Sequence, residues 1–143
     1  MITSLYHKFL FHFAPSKLIR RYTGKSAFRM YFIREYELAN RQIWRAEFFR
    51  EMKQELREDI RREYDKATET LDAAQGRLDV ENKKEDPDKI IKETLEKQAE
   101  TKKKEISQFK EQIDHIDTEI KGYTEALESL RVTLPLVEKY IKK

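Results

Sequence analysis

The fold is decided by residues 106–141, ISQFKEQIDHIDTEIKGYTEALESLRVTLPLVEKYI. Apolar side chains recur there at alternating steps of three and four residues, which places them on one stripe of an α-helix and is typical of a coiled-coil seam. The stripe continues more weakly towards the N-terminus through Lys102, Ala99 and Leu95. Its members are Ile106, Phe109, Ile113, Ile116, Ile120, Tyr123, Leu127, Leu130, Leu134, Val137 and Ile141.

A second apolar stripe precedes the first one in the chain. Residues 83–88 separate the two stripes, and Pro87 makes this stretch a turn because the residue before a proline disfavours helical geometry. We therefore predict a long helix over 26–82 and another over 89–143. The members of the second stripe, at steps of three or four, are Met52, Leu56, Ile60, Tyr64, Ala67, Leu71, Ala74 and Leu78.

The two predicted helices should pack against each other in antiparallel orientation. Each stripe can leave water only by covering the other, and the turn between them is short. Counting outward from the turn places Leu78 near Lys92, Leu71 near Ala99 and Met52 near Ile116. The predicted fold class is all-α, a long antiparallel coiled-coil helical hairpin with a short N-terminal amphipathic helical segment.

Proline and glycine mark the expected interruptions of these helices. Pro135 lacks a backbone donor and clashes with the preceding turn, so we expect a kink or a restart there, with Thr133 as the N-cap of a short last helix. Gly122 costs about 1 kcal/mol in a helix interior, which its apolar neighbours offset. Ser16 should cap a short helix that stops at Gly24.

Residues 1–25 form a basic, aromatic arm in this interpretation. The pattern over residues 2–13 predicts an amphipathic helix, and Pro15 should end it. Residues 1–34 hold seven basic residues and no acid, and 12 of the 16 aromatic residues lie at or before Phe49. Such asymmetry indicates a surface that contacts a membrane or a partner. The expected contact residues are Leu5, Tyr6, Phe9, Leu10, Phe13, Lys17, Arg20, Arg21, Lys25, Phe28, Phe32, Trp44 and Phe48.

Motifs for catalysis are absent from the sequence. The chain has no cysteine, and its three histidines, His7, His12 and His115, form no metal-ligand pattern. Asp114, His115 and Asp117 are expected to form a solvated polar surface. The basic row Arg50, Lys53, Arg57 and Arg61 is interleaved with acids, so we expect a solvated, salt-bridged face there as well. We predict no enzyme activity, no cofactor, no metal and no small-molecule substrate.

The leading functional hypothesis is a non-catalytic structural or assembly subunit of a larger complex. It would dock through its basic aromatic N-terminal end at a membrane surface or on partner subunits. The acid-free, basic segment is also typical of mitochondrial import signals, which favours an accessory subunit at the mitochondrial inner membrane or its matrix side; otherwise we expect an intracellular protein.

Two other functional hypotheses fit the same sequence. One is an RNA-binding or ribosome-associated protein that uses the basic arm, where Lys17, Arg20, Arg21 and Lys25 would contact phosphates and Tyr22 could stack on a base. The other is a self-assembling viral or phage assembly protein, built through its aromatic end. The three hypotheses differ in the expected binding partner. The first expects other subunits or lipid, the second RNA, and the third further copies of the chain.

Overall fold

The structure is a computed structural model that describes the backbone of residues 16–141 and the side chains of residues 29–139 and 141. Helices α1, Ser16–Asn82, and α2, Lys89–Ile141, account for 95% of the described residues, with no strand among them. The two helices pack against each other, so the prediction of an all-α helical hairpin is confirmed. The amphipathic helix predicted over residues 2–13 lies outside the described residues.

Helix α1 begins ten residues earlier than the sequence suggested. It runs without a break from Ser16 through Gly24, so the prediction of a separate short helix that stops at Gly24 is wrong. A glycine costs only about 1 kcal/mol in a helix interior. Because α1 contains no proline, the helical hydrogen bonds continue across Gly24.

Helix α2 also continues where an interruption was predicted. Pro135 lies inside the helix, so the predicted restart is wrong, and the alternative of a kink stays a prediction. Thr133 does not act as an N-cap, because its hydroxyl donates to the carbonyl of Ser129 at 2.9 Å, one turn earlier in the same helix. Pro135 removes a single backbone donor, and the carbonyl that loses this bond belongs to the exposed Arg131, where solvent can replace it.

The turn over residues 83–88 is held by two carboxylates. Asp88 caps α2: its side chain accepts hydrogen bonds from the backbone N–H of Ile90 at 2.9 Å and of Ile91 at 3.3 Å. Glu81, only 5% exposed, accepts from the N–H of Asp88 at 2.9 Å and from Lys84 Nζ at 2.6 Å. Glu81 therefore links the last turn of α1 to the start of α2.

The chain divides into two compact units, and both helices contribute to each. Unit 1 comprises Met1–Glu47 and Glu125–Lys143, and unit 2 comprises Phe48–Thr124. In unit 1 the side chains of Phe32 and Leu127 are fully buried. The buried apolar residues of unit 2 are Ala67, Ala74, Leu95, Ala99, Ile113 and Ile116.

The seam of α2 follows the heptad pattern along its whole length. All of its predicted positions, from Leu95 to Ile141, are buried or half-buried. On α1 the predicted positions Ile60, Leu71 and Leu78 are half-buried as well. The apolar repeat therefore sets which sides of the two helices meet.

The seam of α1 departs from the prediction before Ile60. Met52 and Leu56 are 50% and 44% exposed, so their assignment to the seam is wrong. Lys53 and Arg57, one residue further along, are half-buried instead and face acids of α2. The predicted stripe took three successive steps of four between Met52 and Tyr64, and such steps drift around the helix, whereas a seam alternates three and four.

The register of the two helices also differs from the predicted one. The rings of Phe49 and Tyr123 are stacked with their centroids 6.2 Å apart. The predicted pairing of Met52 with Ile116 would have placed Phe49 opposite a position about one helical turn earlier in α2. Ion pairs that the apolar pattern does not reveal accompany this register.

Candidate functional site

In unit 1, helix α1 has one buried face. Phe32 is 2% exposed, and Ala39, Ile43 and Ala46 are half-buried at helical spacing from it. Phe32 was predicted as a contact residue for a membrane or partner, and this prediction is wrong because its ring is covered by the chain itself. The same face holds the apolar residues that continue the seam towards the N-terminus.

The opposite face of α1 in unit 1 combines large apolar side chains with arginines. Met30 and Trp44 are each 66% exposed, and Leu38 is 38% exposed. At 100° per residue these residues and the arginines between them lie within about 120° of the helix circumference. We call this surface the α1 outer face; it consists of Met30, Arg34, Leu38, Arg41, Trp44 and Arg45.

The charge of the α1 outer face is positive. Arg34, Arg41 and Arg45 are exposed, and Glu37 is the one exposed acid beside them on this face. Within the part of the chain that the structure describes, neither Arg34 nor Arg41 forms an ion pair. Their guanidinium groups are therefore available to an anionic ligand.

Other polar groups of unit 1 serve packing. Arg131 of α2 donates to Glu47 of α1, which neutralises that acid. The rings of Tyr31 and Phe32 meet edge to face with centroids 5.4 Å apart. Burial raises the pKa of the Tyr31 phenol, and the nearby Glu35 raises it further. Tyr31 therefore stays neutral at physiological pH.

The structure describes the predicted contact residues to different extents. Trp44 is 66% exposed and Phe48, which belongs to unit 2, is 46% exposed. Lys17, Arg20, Arg21, Lys25 and Phe28 lie in α1, with only their backbone described. The predicted contacts Leu5, Tyr6, Phe9, Leu10 and Phe13 lie outside the described residues.

The sequence predicted only Trp44 among the six residues of the α1 outer face. The many apolar residues between Phe28 and Phe49 point in several helical directions, so the pattern did not single out the other five, which are Met30, Arg34, Leu38, Arg41 and Arg45. A usable signal was present, however. Met30, Arg34, Arg41 and Arg45 follow one another at steps of four, seven and four, which is one face of a helix.

In unit 2 the charged residues between the helices form ion pairs. Lys53 Nζ lies 2.7 Å from Glu119 Oε2, and Arg57 binds Asp117 through two hydrogen bonds. Lys53 lowers the pKa of Glu119, and the hydrogen bond to Asp117 raises the pKa of Arg57. The expectation of a salt-bridged face is therefore confirmed for Lys53 and Arg57, but both residues are half-buried and their partners are acids of α2 rather than neighbours on α1.

The segment around His115 contributes one of these acidic partners, Asp117. Asp117 was predicted to belong to a solvated polar surface; its side chain is 45% exposed, and it also binds Arg57 of α1. His115 itself is 76% exposed, with Nε2 3.8 Å from Glu119 Oε1. The charge pattern gives no sign of this pairing because it depends on the register of the two helices.

An open groove lies beside the turn in unit 2. Its volume is about 490 Å³, and its apolar wall comes from Ala73, Gly76 and Val80 of α1 and from Ile91 and Leu95 of α2. Arg77 and Glu81 complete the lining, and Glu81 is already bonded to Lys84 and Asp88. The groove is mainly apolar and offers no cluster of catalytic side chains.

Among the described residues, no group of three or more His, Asp or Glu side chains is arranged to hold a metal ion. No helix in the described part of the chain is long and apolar enough to cross a membrane. Comparison of the chain with protein-family models, curated proteins and solved structures finds no match.

Proposed function

We propose that this chain is a non-catalytic structural or assembly subunit of a larger complex, which it joins through the α1 outer face and the basic N-terminal segment. The observation that supports the proposal is the exposure of Met30 and Trp44, each 66%, beside Arg34 and Arg41. Tryptophan and arginine are enriched among the residues that dominate binding energy at interfaces.

The fold supports this role. In a helical hairpin each helix covers the seam of the other, so the opposite faces are left for partners. On α1 in unit 1 this opposite face is basic and apolar. Apolar side chains grouped with arginines gain more from a partner surface than from water.

The proposal includes a cellular location. The acid-free, basic and aromatic segment over residues 1–34 favours an accessory subunit of a mitochondrial inner-membrane complex. This version makes the N-terminal segment an import signal as well as a docking element. Fractionation of the cells that produce the protein tests it: recovery of the chain outside mitochondria contradicts the location and leaves the docking role intact.

Native purification tests the docking role. The full chain is isolated from its own cells in mild detergent through a C-terminal tag, and its companions are quantified. We expect other proteins in fixed stoichiometry, and we expect Trp44→Ser combined with Arg41→Gln to lose them. The matched control is Ile90→Ser combined with Arg77→Gln, which alters exposed residues of unit 2 and should keep them.

The same purification separates the alternatives. Companions that disappear after ribonuclease treatment would favour the RNA-binding hypothesis. Recovery of further copies of the chain alone would favour self-assembly. Recovery of a bare monomer under every condition would contradict the structural-subunit proposal.

A further inference from the structure

The α1 outer face has the composition of a surface that lies on a membrane. Amphipathic helices at bilayer interfaces combine Trp and other large apolar residues with Lys or Arg. Trp44 and Met30 supply the apolar part here, and Arg34 and Arg41 supply the charge. The buried face of the same helix packs within the protein, so the two faces have separate roles.

Apolar exposure favours lipid over nucleic acid as the ligand. Phosphates of RNA would pair with Arg34 and Arg41, but Met30 and Leu38 would gain nothing from a phosphate backbone. At a bilayer surface the same arginines pair with lipid phosphates while the apolar side chains enter the boundary between headgroups and acyl chains. Both halves of the surface are then used.

We infer that the α1 outer face binds the surface of an anionic lipid bilayer, with Met30 and Trp44 at the headgroup boundary and Arg34 and Arg41 on lipid phosphates. The positive charge of the face complements the negative surface of such a bilayer. This inference rests on the proposed function and names the surface on which the subunit docks.

Trp44 provides a direct measurement because it is the only tryptophan of the chain. The full chain is mixed with vesicles of phosphatidylcholine and phosphatidylglycerol, or of phosphatidylcholine alone. We expect the emission of Trp44 to shift to shorter wavelength, and to be quenched by brominated acyl chains, with the anionic vesicles only. Added salt should weaken the binding, because it screens the contact between arginine and phosphate.

Substitutions then assign the binding to this face. Arg34→Gln and Arg41→Gln should each weaken partitioning about fivefold, and Met30→Ser should reduce the Trp44 shift. The control variants Arg77→Gln and Ile90→Ser change exposed residues of unit 2 and should bind like the unaltered chain. Circular dichroism checks that every variant remains helical.

Three results would overturn the inference. They are a Trp44 shift that is equal for neutral and anionic vesicles, unchanged partitioning of the Arg34→Gln, Arg41→Gln double variant, and a Trp44 response to RNA with none to vesicles. If the chain fails to bind vesicles but still purifies with stoichiometric protein companions, the lipid inference fails and the proposed function stands.

Discussion

Arg57 of α1 and Asp117 of α2 bind each other through two hydrogen bonds, with Nε donating to Oδ1 and Nη2 donating to Oδ2 at 3.3 Å. Both residues occupy the region where the helices meet, and both are partly exposed. A planar guanidinium that meets a carboxylate in this way fixes direction as well as distance. The pair therefore helps to specify the register of the hairpin.

Charge reversal tests this pair. Arg57→Asp and Asp117→Arg should each lower the thermal midpoint by a few degrees, because each places two like charges together. The double variant should recover most of the loss, since the charges are exchanged rather than removed. Thermal unfolding monitored by circular dichroism gives the midpoint of all four proteins. If the double variant loses as much as the two single variants together, the two residues do not interact.

The link between Glu81 and the start of α2 predicts a dependence of stability on pH. Hydrogen bonds from Lys84 and from the backbone of Asp88 lower the pKa of Glu81 below its ordinary value of 4.5. A lowered folded pKa contributes stability that is fully present above the unfolded pKa and is lost as pH falls through the folded one. The loss should therefore occur below about pH 4.5.

The variant Glu81→Gln measures this contribution. It should lower the thermal midpoint near pH 7 and should leave a smaller decrease of the midpoint in acid than the unaltered chain shows. The matched control is Glu85→Gln, which changes an exposed acid in the same turn. If the thermal midpoint of Glu81→Gln falls in acid as much as that of the unaltered chain, Glu81 does not cause the loss of stability at low pH.

Gly76 is a site where stability should increase. It lies inside α1, and a Cβ atom built on it meets nothing within 4 Å. Gly76→Ala should therefore stabilise the protein by about 1 kcal/mol, through helix propensity alone. Denaturant titration gives the difference, and a decrease in stability would mean that the groove beside Gly76 does not tolerate a methyl group.

Leu127 tests the core of unit 1. Its side chain is 1% exposed, so Leu127→Ala should cost about 2–5 kcal/mol through lost burial and the cavity that remains. Leu136→Ala on the same helix is the comparison, because Leu136 is 54% exposed and should cost far less. Similar losses for both variants would contradict the described burial.

The sequence was sufficient for the existence of the two long helices, the turn between them and the seam of α2, but not for the continuation of the helices across Gly24 and Pro135. Apolar residues at heptad positions leave one choice of face, so Ile113 and Ile116 could be placed without knowledge of any partner. The seam of α1 could not be placed in the same way. Lys53 and Arg57 occupy it opposite Glu119 and Asp117, and this pairing depends on the register of the two helices, which the apolar pattern did not predict.

The candidate site was predicted only in part, for a related reason. Phe32 and Trp44 are both aromatic residues in a segment rich in apolar side chains, and composition gives them the same role. Their positions around α1 separate them, since Phe32 is 2% exposed and Trp44 is 66% exposed. Helical phase, read residue by residue from Met30 to Arg45, would have distinguished them.

The short turn has a consequence for the folding kinetics. Glu81 and Asp88 are seven residues apart in sequence, Arg57 and Asp117 are 60 apart, and Glu47 and Arg131 are 84 apart. Because the entropic cost of closing a loop grows with its length, the contacts beside residue 81 should form first and the others should follow in order. Substitutions near the turn should then slow folding, whereas Leu127→Ala should mainly accelerate unfolding.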